Sequence, residues 1–305
     1  MKLTKITCLL ILTALSSTAK AQLPTFVRDL GQKHFSNSVP PGNYSGIAHL
    51  DTNRYALVSD KNPENGFFIF HIDIDSVSGE LLRVSNEGFR GSGLPNQDEE
   101  GIAYDSDSKT LWIASEKENR IHEHSLDGKR TGRELKLREN IHTHNNNYGL
   151  ESVAWSPKYV FATILESPAS EILAGKDSLT HYLPYHLNKP TVHSPKGMYF
   201  NGVSELLWLE DGSLLVLERE AFIPKKKIGS WVKNYLYRAS EKGEELIYQW
   251  KTKINLTNYS FANYEGMCFG PKLEDGSQTL IVVADSQDQY KGILKDWFKV
   301  IVLKF

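Results

Sequence analysis

Five stretches of one pattern recur along this chain, and their spacing limits its fold more than any other feature. They read Tyr44-Ser45-Gly46-Ile47-Ala48, Glu99-Glu100-Gly101-Ile102-Ala103, Leu150-Glu151-Ser152-Val153-Ala154, Val203-Ser204-Glu205-Leu206-Leu207 and Tyr264-Glu265-Gly266-Met267-Cys268. Their second residues stand 55, 51, 53 and 61 positions apart. That is longer than the ~40–45 residues of a WD40 blade and suits four strands with longer loops. Each stretch is followed by an apolar run ending in an acid: Tyr55 to Asp60, Leu111 to Glu116, Val160 to Glu166, Leu214 to Glu218 and Ile281 to Asp285. These runs are rich in β-branched and apolar residues, as strands buried on both faces are. Polar turns such as Asp105-Ser106-Asp107-Ser108 and Asp211-Gly212 separate them from the first strands.

The expected fold is therefore an all-β, five-bladed β-propeller, with six blades as the alternative. Phe67 to Ile74 and Leu81 to Val84 complete the first blade, Arg120 to Ser125 and Arg133 to Leu137 the second, and Trp231 to Arg238 and Glu245 to Trp250 the fourth. The third is less clear, because 173–200 is long, polar and Pro-containing; a sixth, degenerate blade would have to hide there. The fifth has only Lys299 to Leu303 after its second strand. Its missing strand is expected from Phe26 to Leu30, which closes the ring with strands from both ends of the chain.

Within a blade the two marked positions lie 15, 16, 15 and 14 residues apart in the first four repeats. A hairpin of two six-residue strands has that length, so its first and last residues face each other. Two sets of side chains are thus expected at one mouth of a central channel. The inner set is Ser45, Glu100, Glu151, Ser204 and Glu265; the outer set is Asp60, Glu116, Glu166, Glu218 and Asp285. Three inner carboxylates converging on an axis repel, and their pKa values rise unless something compensates. Calcium does so with six to eight oxygen ligands at about 2.3–2.6 Å, whereas zinc prefers nitrogen or sulfur, which this ring lacks. The competing reading pairs these residues with backbone amides around the channel. Five in register, all Ser or Glu, favour Ca2+ on Ser45, Glu100, Glu151, Ser204 and Glu265.

The first 21 residues read as a secretory signal: Lys2 and Lys5, an apolar run from Ile6 to Leu15, and Ala19-Lys20-Ala21 before Gln22. Without Lys2, Lys5 and Lys20 the remainder has 32 Lys and Arg against 37 Asp and Glu, a formal charge of −5. That mild acidity argues against general nucleic-acid binding. A periplasmic or secreted monomer with no membrane span is expected, with 22–305 as one domain. Cys8 falls in the signal, so Cys268 is the one mature cysteine and reads as a small core residue.

The chain from Gln22 onward resembles the phytase-like family, described by an esterase-like activity of phytase. The resemblance is carried by Asp98-Glu99-Glu100-Gly101-Ile102-Ala103-Tyr104, Gly149-Leu150-Glu151-Ser152-Val153-Ala154, Leu217-Glu218-Arg219, Asn263-Tyr264-Glu265-Gly266, Asp275-Gly276 and Ala284-Asp285. The inner order Ser, Glu, Glu, Ser, Glu also resembles the calcium-activated nucleotidase (apyrase) family, a five-bladed propeller with calcium held in its channel by such a ring. The resemblances imply a phosphate-directed hydrolase with calcium.

Basic residues follow the outer acids: Lys61 after Asp60, Lys117 after Glu116, Arg219 after Glu218. They are candidate binders of a small phosphorylated substrate, with ion pairing to neighbouring acids as the alternative. Glu218 or Asp285 is the candidate base, with Arg219 as an electrostatic partner. Lys225-Lys226-Lys227 reads as a solvated charge run. His122 and His124 read as strand-edge residues, His142 and His144 as a surface turn, and His181, His186 and His193 as weak lid candidates. No phosphate-binding Gly loop, G-x-S-x-G elbow or H-E-x-x-H motif is present. Two functions remain: a calcium-dependent hydrolase of phosphate esters or anhydrides, or a non-catalytic ligand-binding propeller with structural calcium. A lactonase-like propeller is a weaker third, because its Asn and Asp ligands are missing from this ring.

Overall fold

The computed structural model describes residues 23–138, 149–166, 171–187, 192–194, 196–289 and 294–305. The expected signal and the His142 and His144 turn lie outside them. Among the described residues the chain is all β, with no helix, and its architecture is propeller-like.

Each recurrent stretch opens a sheet of four antiparallel strands. Parallel pairing of Ser178 with Lys136 and of Leu179 with Leu137 joins the second and third sheets edge to edge into one of eight strands, and the short strands Val192–Ser194 and Asn258–Tyr259 extend the fourth to six. The first sheet takes Tyr44–Asp51, Arg54–Ser59, Glu64–Ile74 and Leu81–Pro95, and the second Glu99–Asp105, Thr110–Ser115, Arg120–His124 and Arg130–Leu137. The third takes Ala154–Ser156, Val160–Thr163, Glu171–Gly175 and Ser178–Pro184, so the unclear stretch from residue 173 supplies that sheet's outer strands. The fourth takes Gly197–Trp208, Leu214–Pro224, Trp231–Ser240 and Gly243–Asn255. The fifth has Asn263–Lys272, Gln278–Asp285 and Phe298–Lys304, then Thr25–Lys33 as its outermost strand, paired from Thr25 opposite Lys304 to Lys33 opposite Phe298 with irregularities after Phe26 and Asp29. Both ends of the described chain therefore share one sheet. Lys299 pairs there with Asp29, which also accepts a 2.8 Å hydrogen bond from Tyr248 Oη.

The second strands have no polar face because sheets stack on both sides of them. Leu215 and Leu217 enter a core with Met267, Leu280 and Val282 of the fifth sheet; Leu214 and Val216 enter another with Ile164, Ile172 and Leu183 of the third. Further cores join the first sheet to the second, the second to the third and the fifth to the first. Every sheet thus shares a core with two neighbours in cyclic order, and the innermost strands touch in the same cycle. Cys268 is buried in the core between the fifth and first sheets, where burial holds its thiol well above the usual range.

Candidate functional site

The inner residues are set by a repeated irregularity. In the first sheet Tyr44 faces Ser59 and Gly46 faces Val58, leaving Ser45 as an extra residue. Glu100, Ser204 and Glu265 are the extra residues of the same bulge in the second, fourth and fifth sheets. In the third, Leu150 faces Leu165 and Ala154 faces Ala162, so three residues starting with Glu151 oppose two. A bulge re-aims a side chain that regular pleating would send into a sheet-to-sheet core. The next residue is Gly46, Gly101 or Gly266 in three sheets, because the strands nearly touch there. A Cβ on Gly101 would lie 2.6 Å from Ser152 Cα, and one on Gly266 would lie 2.8 Å from Gly46 Cα. Ser45, Glu100, Glu151, Ser204 and Glu265 are all buried, at 1%, 9%, 5%, 1% and 6% exposure.

The second-strand positions opposite the residue two before each bulge are Asp60, Glu116, Glu166, Arg219 and Asp285. Arg219, not Glu218, thus completes the outer set. Glu218 pairs with Val203, one step nearer the hairpin turn, so pleating sends its side chain the other way, where its carboxylate accepts from Tyr185 Oη at 3.1 Å. The 14-residue spacing from Ser204 to Glu218 was the signal; 15 residues lead to Arg219.

Arg219 is buried among acids. Its guanidinium donates to Glu265, to Glu166 at 2.5 Å and to Asn263 at 3.2 Å, with Glu151 at 3.9 Å. Gly202 makes room, since a Cβ there would lie 2.6 Å from Glu166 Cγ. Gly149 does the same for Glu116 and donates its N–H to that carboxylate at 3.1 Å.

Asp98 was missed by sequence reasoning, although it opens the quoted Asp98-Glu99-Glu100 run. It sits two residues before its bulge with φ 56°, a left-handed conformation Asp tolerates. Asn96 Oδ1 accepts from its N–H at 2.8 Å, and its carbonyl accepts from Glu116 N–H at 2.8 Å. Asp98 receives Lys117 Nζ at 3.0 Å and Lys61 Nζ at 3.5 Å, and Lys61 also pairs with Asp60. Lys61 and Lys117 are half exposed.

Among the described residues eight carboxylates converge here, Asp60, Asp98, Glu100, Glu116, Glu151, Glu166, Glu265 and Asp285, with Asp288 also beside Asp60, against three cations, Lys61, Lys117 and Arg219. Burial, reinforced by Glu265 and Asp60, pushes Glu100 well above the usual carboxylate range. Burial also raises Glu151, with Glu166 and Glu100 adding, and Glu265, where Arg219 opposes the rise. Asp285 is pushed up to about 7 by burial and then by Asp60.

Arg219 serves the side formed by the third to fifth sheets. On the opposite side Asp60, Asp98 and Glu100 offer oxygens within 4.8 Å of one another, and Asp60 Oδ1 is buried without a hydrogen-bond partner. An all-oxygen, partly unsatisfied donor set fits a hard cation. Ser204 Oγ is likewise buried and unpartnered.

The histidines take other places. His124 is not an edge residue: it is buried, its Nε2 lies 3.0 Å from Asn65 Oδ1, and burial lowers it to about 4. Asn65 Nδ2 donates to Glu99 at 2.5 Å, and Glu99 accepts from Gln97 N–H at 3.1 Å, which braces the turn carrying Asp98. His122 pairs with Glu118, His181 with Glu171 and His186 with Glu244.

The family model described as "Phytase-like: Esterase-like activity of phytase" matches residues 39–287. No curated protein matches the sequence. Similar solved structures include a Trichoderma reesei carbohydrate-active enzyme of family AA12 (9% identity, TM-score 0.48, covering 91% of this chain and 97% of that one). A Bacteroides thetaiotaomicron protein of unknown function aligns at 10% identity and TM-score 0.44, covering 90% of this chain and 72% of that one. The Myceliophteria thermophila Cps50 (Swd1) β-propeller domain aligns at 11% identity and TM-score 0.37, covering 87% of this chain and 98% of that one.

Proposed function

The chain belongs to the phytase-like family, and from that premise we propose that it is an exported five-bladed propeller that hydrolyses phosphate esters or anhydrides with calcium at one mouth of its channel. The observation that carries this reading is the excess of eight converging carboxylates over three cations, with Asp60 Oδ1 unsatisfied. Asp60, Asp98 and Glu100 would hold the ion, with the remaining inner residues Ser45, Glu151, Ser204 and Glu265 around it. When bound, calcium supplies charge neutralisation and polarises a phosphoryl oxygen.

The chain's own residues supply the rest. Asp285, pushed up to about 7 by burial and Asp60 in the ion-free protein, is the candidate for proton transfer. Glu218 does not suit it, being held by Tyr185 on another face. Lys61 and Lys117, half exposed beside Asp98, can meet a phosphate. Arg219, enclosed by Glu166 and Glu265, fixes the acids in place rather than binding substrate.

That internal ion pairing also favours a second reading, a non-catalytic propeller with structural calcium that recognises an extracellular ligand. A panel of phosphatase, nucleotidase and carboxylesterase substrates, run with calcium and with chelator, separates the two. Calcium-dependent turnover of a phosphorylated substrate is expected; none on any substrate would leave the binding reading.

A further inference from the structure

Between the fourth and fifth sheets, beside the carboxylates, lies a pocket of about 560 Å³ that opens to solvent. Met198, Phe200, Ile223, Ile254 and Phe261 wall it. Phe200, Ile254 and Phe261 pack with Ala221 and Val232 into a small core of their own, which keeps those walls in place. Ile228 stands on its lining at 60% exposure, a large apolar side chain left in water. Among the described residues the charged lining is Arg219, Lys226 and Lys227 against Glu265. Arg219 is committed to its acids, whereas Lys226 and Lys227 make no ion pair among the described residues. A pocket of this size suits a small molecule, with apolar walls for its body and a few polar groups to orient it. A polyol bearing many phosphates offers no apolar face to these walls and would bring its charge against the neighbouring acids.

We propose that this pocket takes an amphiphilic anion, an aromatic or acyl body against the walls with one anionic group drawn to Lys226 and Lys227. The assignment rests on the acidic mouth being the reactive centre, and it names the substrate class there: esters with an apolar group rather than polyol phosphates. Naphthalene-1-sulfonate, which a phosphatase cannot turn over, is the probe, titrated calorimetrically into the full protein. It is expected to bind one-to-one and at least ten-fold more tightly than methanesulfonate or 1-naphthol. Ile228→Asp and Lys226→Glu, both at exposed positions, are expected to weaken it about ten-fold with melting temperature unchanged. Lys158→Glu, in the turn between the third sheet's first two strands, is expected to leave it unaltered. No binding, equal binding of methanesulfonate, or wild-type affinity in Ile228→Asp would overturn the pocket. Binding retained while no phosphorylated substrate is turned over would support the pocket and remove the hydrolase.

Discussion

Arg219 stands where the other four sheets have an acid, and this single exchange shapes the electrostatics of the site. It compensates Glu166 and Glu265 from within and leaves Asp60, Asp98 and Glu100 to be served otherwise. Arg219→Gln strands buried carboxylates, a loss on the order of 3–5 kcal/mol when one partner of a buried pair is removed. The chelated variant is expected to melt well below the wild type, and added calcium to raise it by more than it raises the wild type; equal shifts would show that Arg219 and the ion do not serve one charge cluster. Asp285 gives a pH signature. Its folded pKa of about 7 exceeds the ordinary value, so the native state keeps a proton that the unfolded chain releases above about pH 4. That contribution is full at low pH and lost as pH rises through 7. Melting curves of the chelated protein should therefore show a falling midpoint from pH 5 to pH 8, with the fall reduced by calcium.

At the scale of the strands, the bulge is what made the inner set legible. Ser45, Glu100, Ser204 and Glu265 recur because each is the extra residue of a hairpin, Glu151 opens the three-against-two mismatch of the third sheet, and in three sheets the next position is a glycine that approaches the neighbouring sheet. Glu218 was misplaced because an acid at the end of a strand looks the same from either face, and one step of pleating separates it from Arg219. Asp98 was missed because its role depends on a left-handed turn held by Asn96 and by the buried Glu99, Asn65 and His124 chain, contacts between residues up to 59 positions apart. The pocket was illegible because its walls come from 198–294, two sheets whose apolar residues read locally as ordinary strand and loop. Gly101→Ala tests the close approach directly: its Cβ meets Ser152 backbone, which cannot swing aside as a side chain would. A loss of about 1–3 kcal/mol in urea unfolding is expected; an unchanged midpoint would mean the inner strands stand further apart.

For the molecule as a whole, stability is shared around a cycle of sheet-to-sheet cores, with the two chain ends paired in the fifth sheet. Residues Phe298 to Leu303 are buried under that arrangement. Removing Thr25–Lys33 bares the backbone edge of that strand, and exposed edges recruit further chains. Size-exclusion chromatography with light scattering is expected to show association of the shortened chain; a stable monomer would mean that the outer strand is dispensable. The function attributed to this architecture stands or falls with the ion at its acidic mouth. Calorimetric titration of calcium into the chelated protein, repeated on Glu100→Gln and Asp98→Asn, tests it most directly. The expected result is one saturable site in the wild type, weakened at least ten-fold in either variant. No saturable heat in the wild type, or the same affinity in all three proteins, would contradict it.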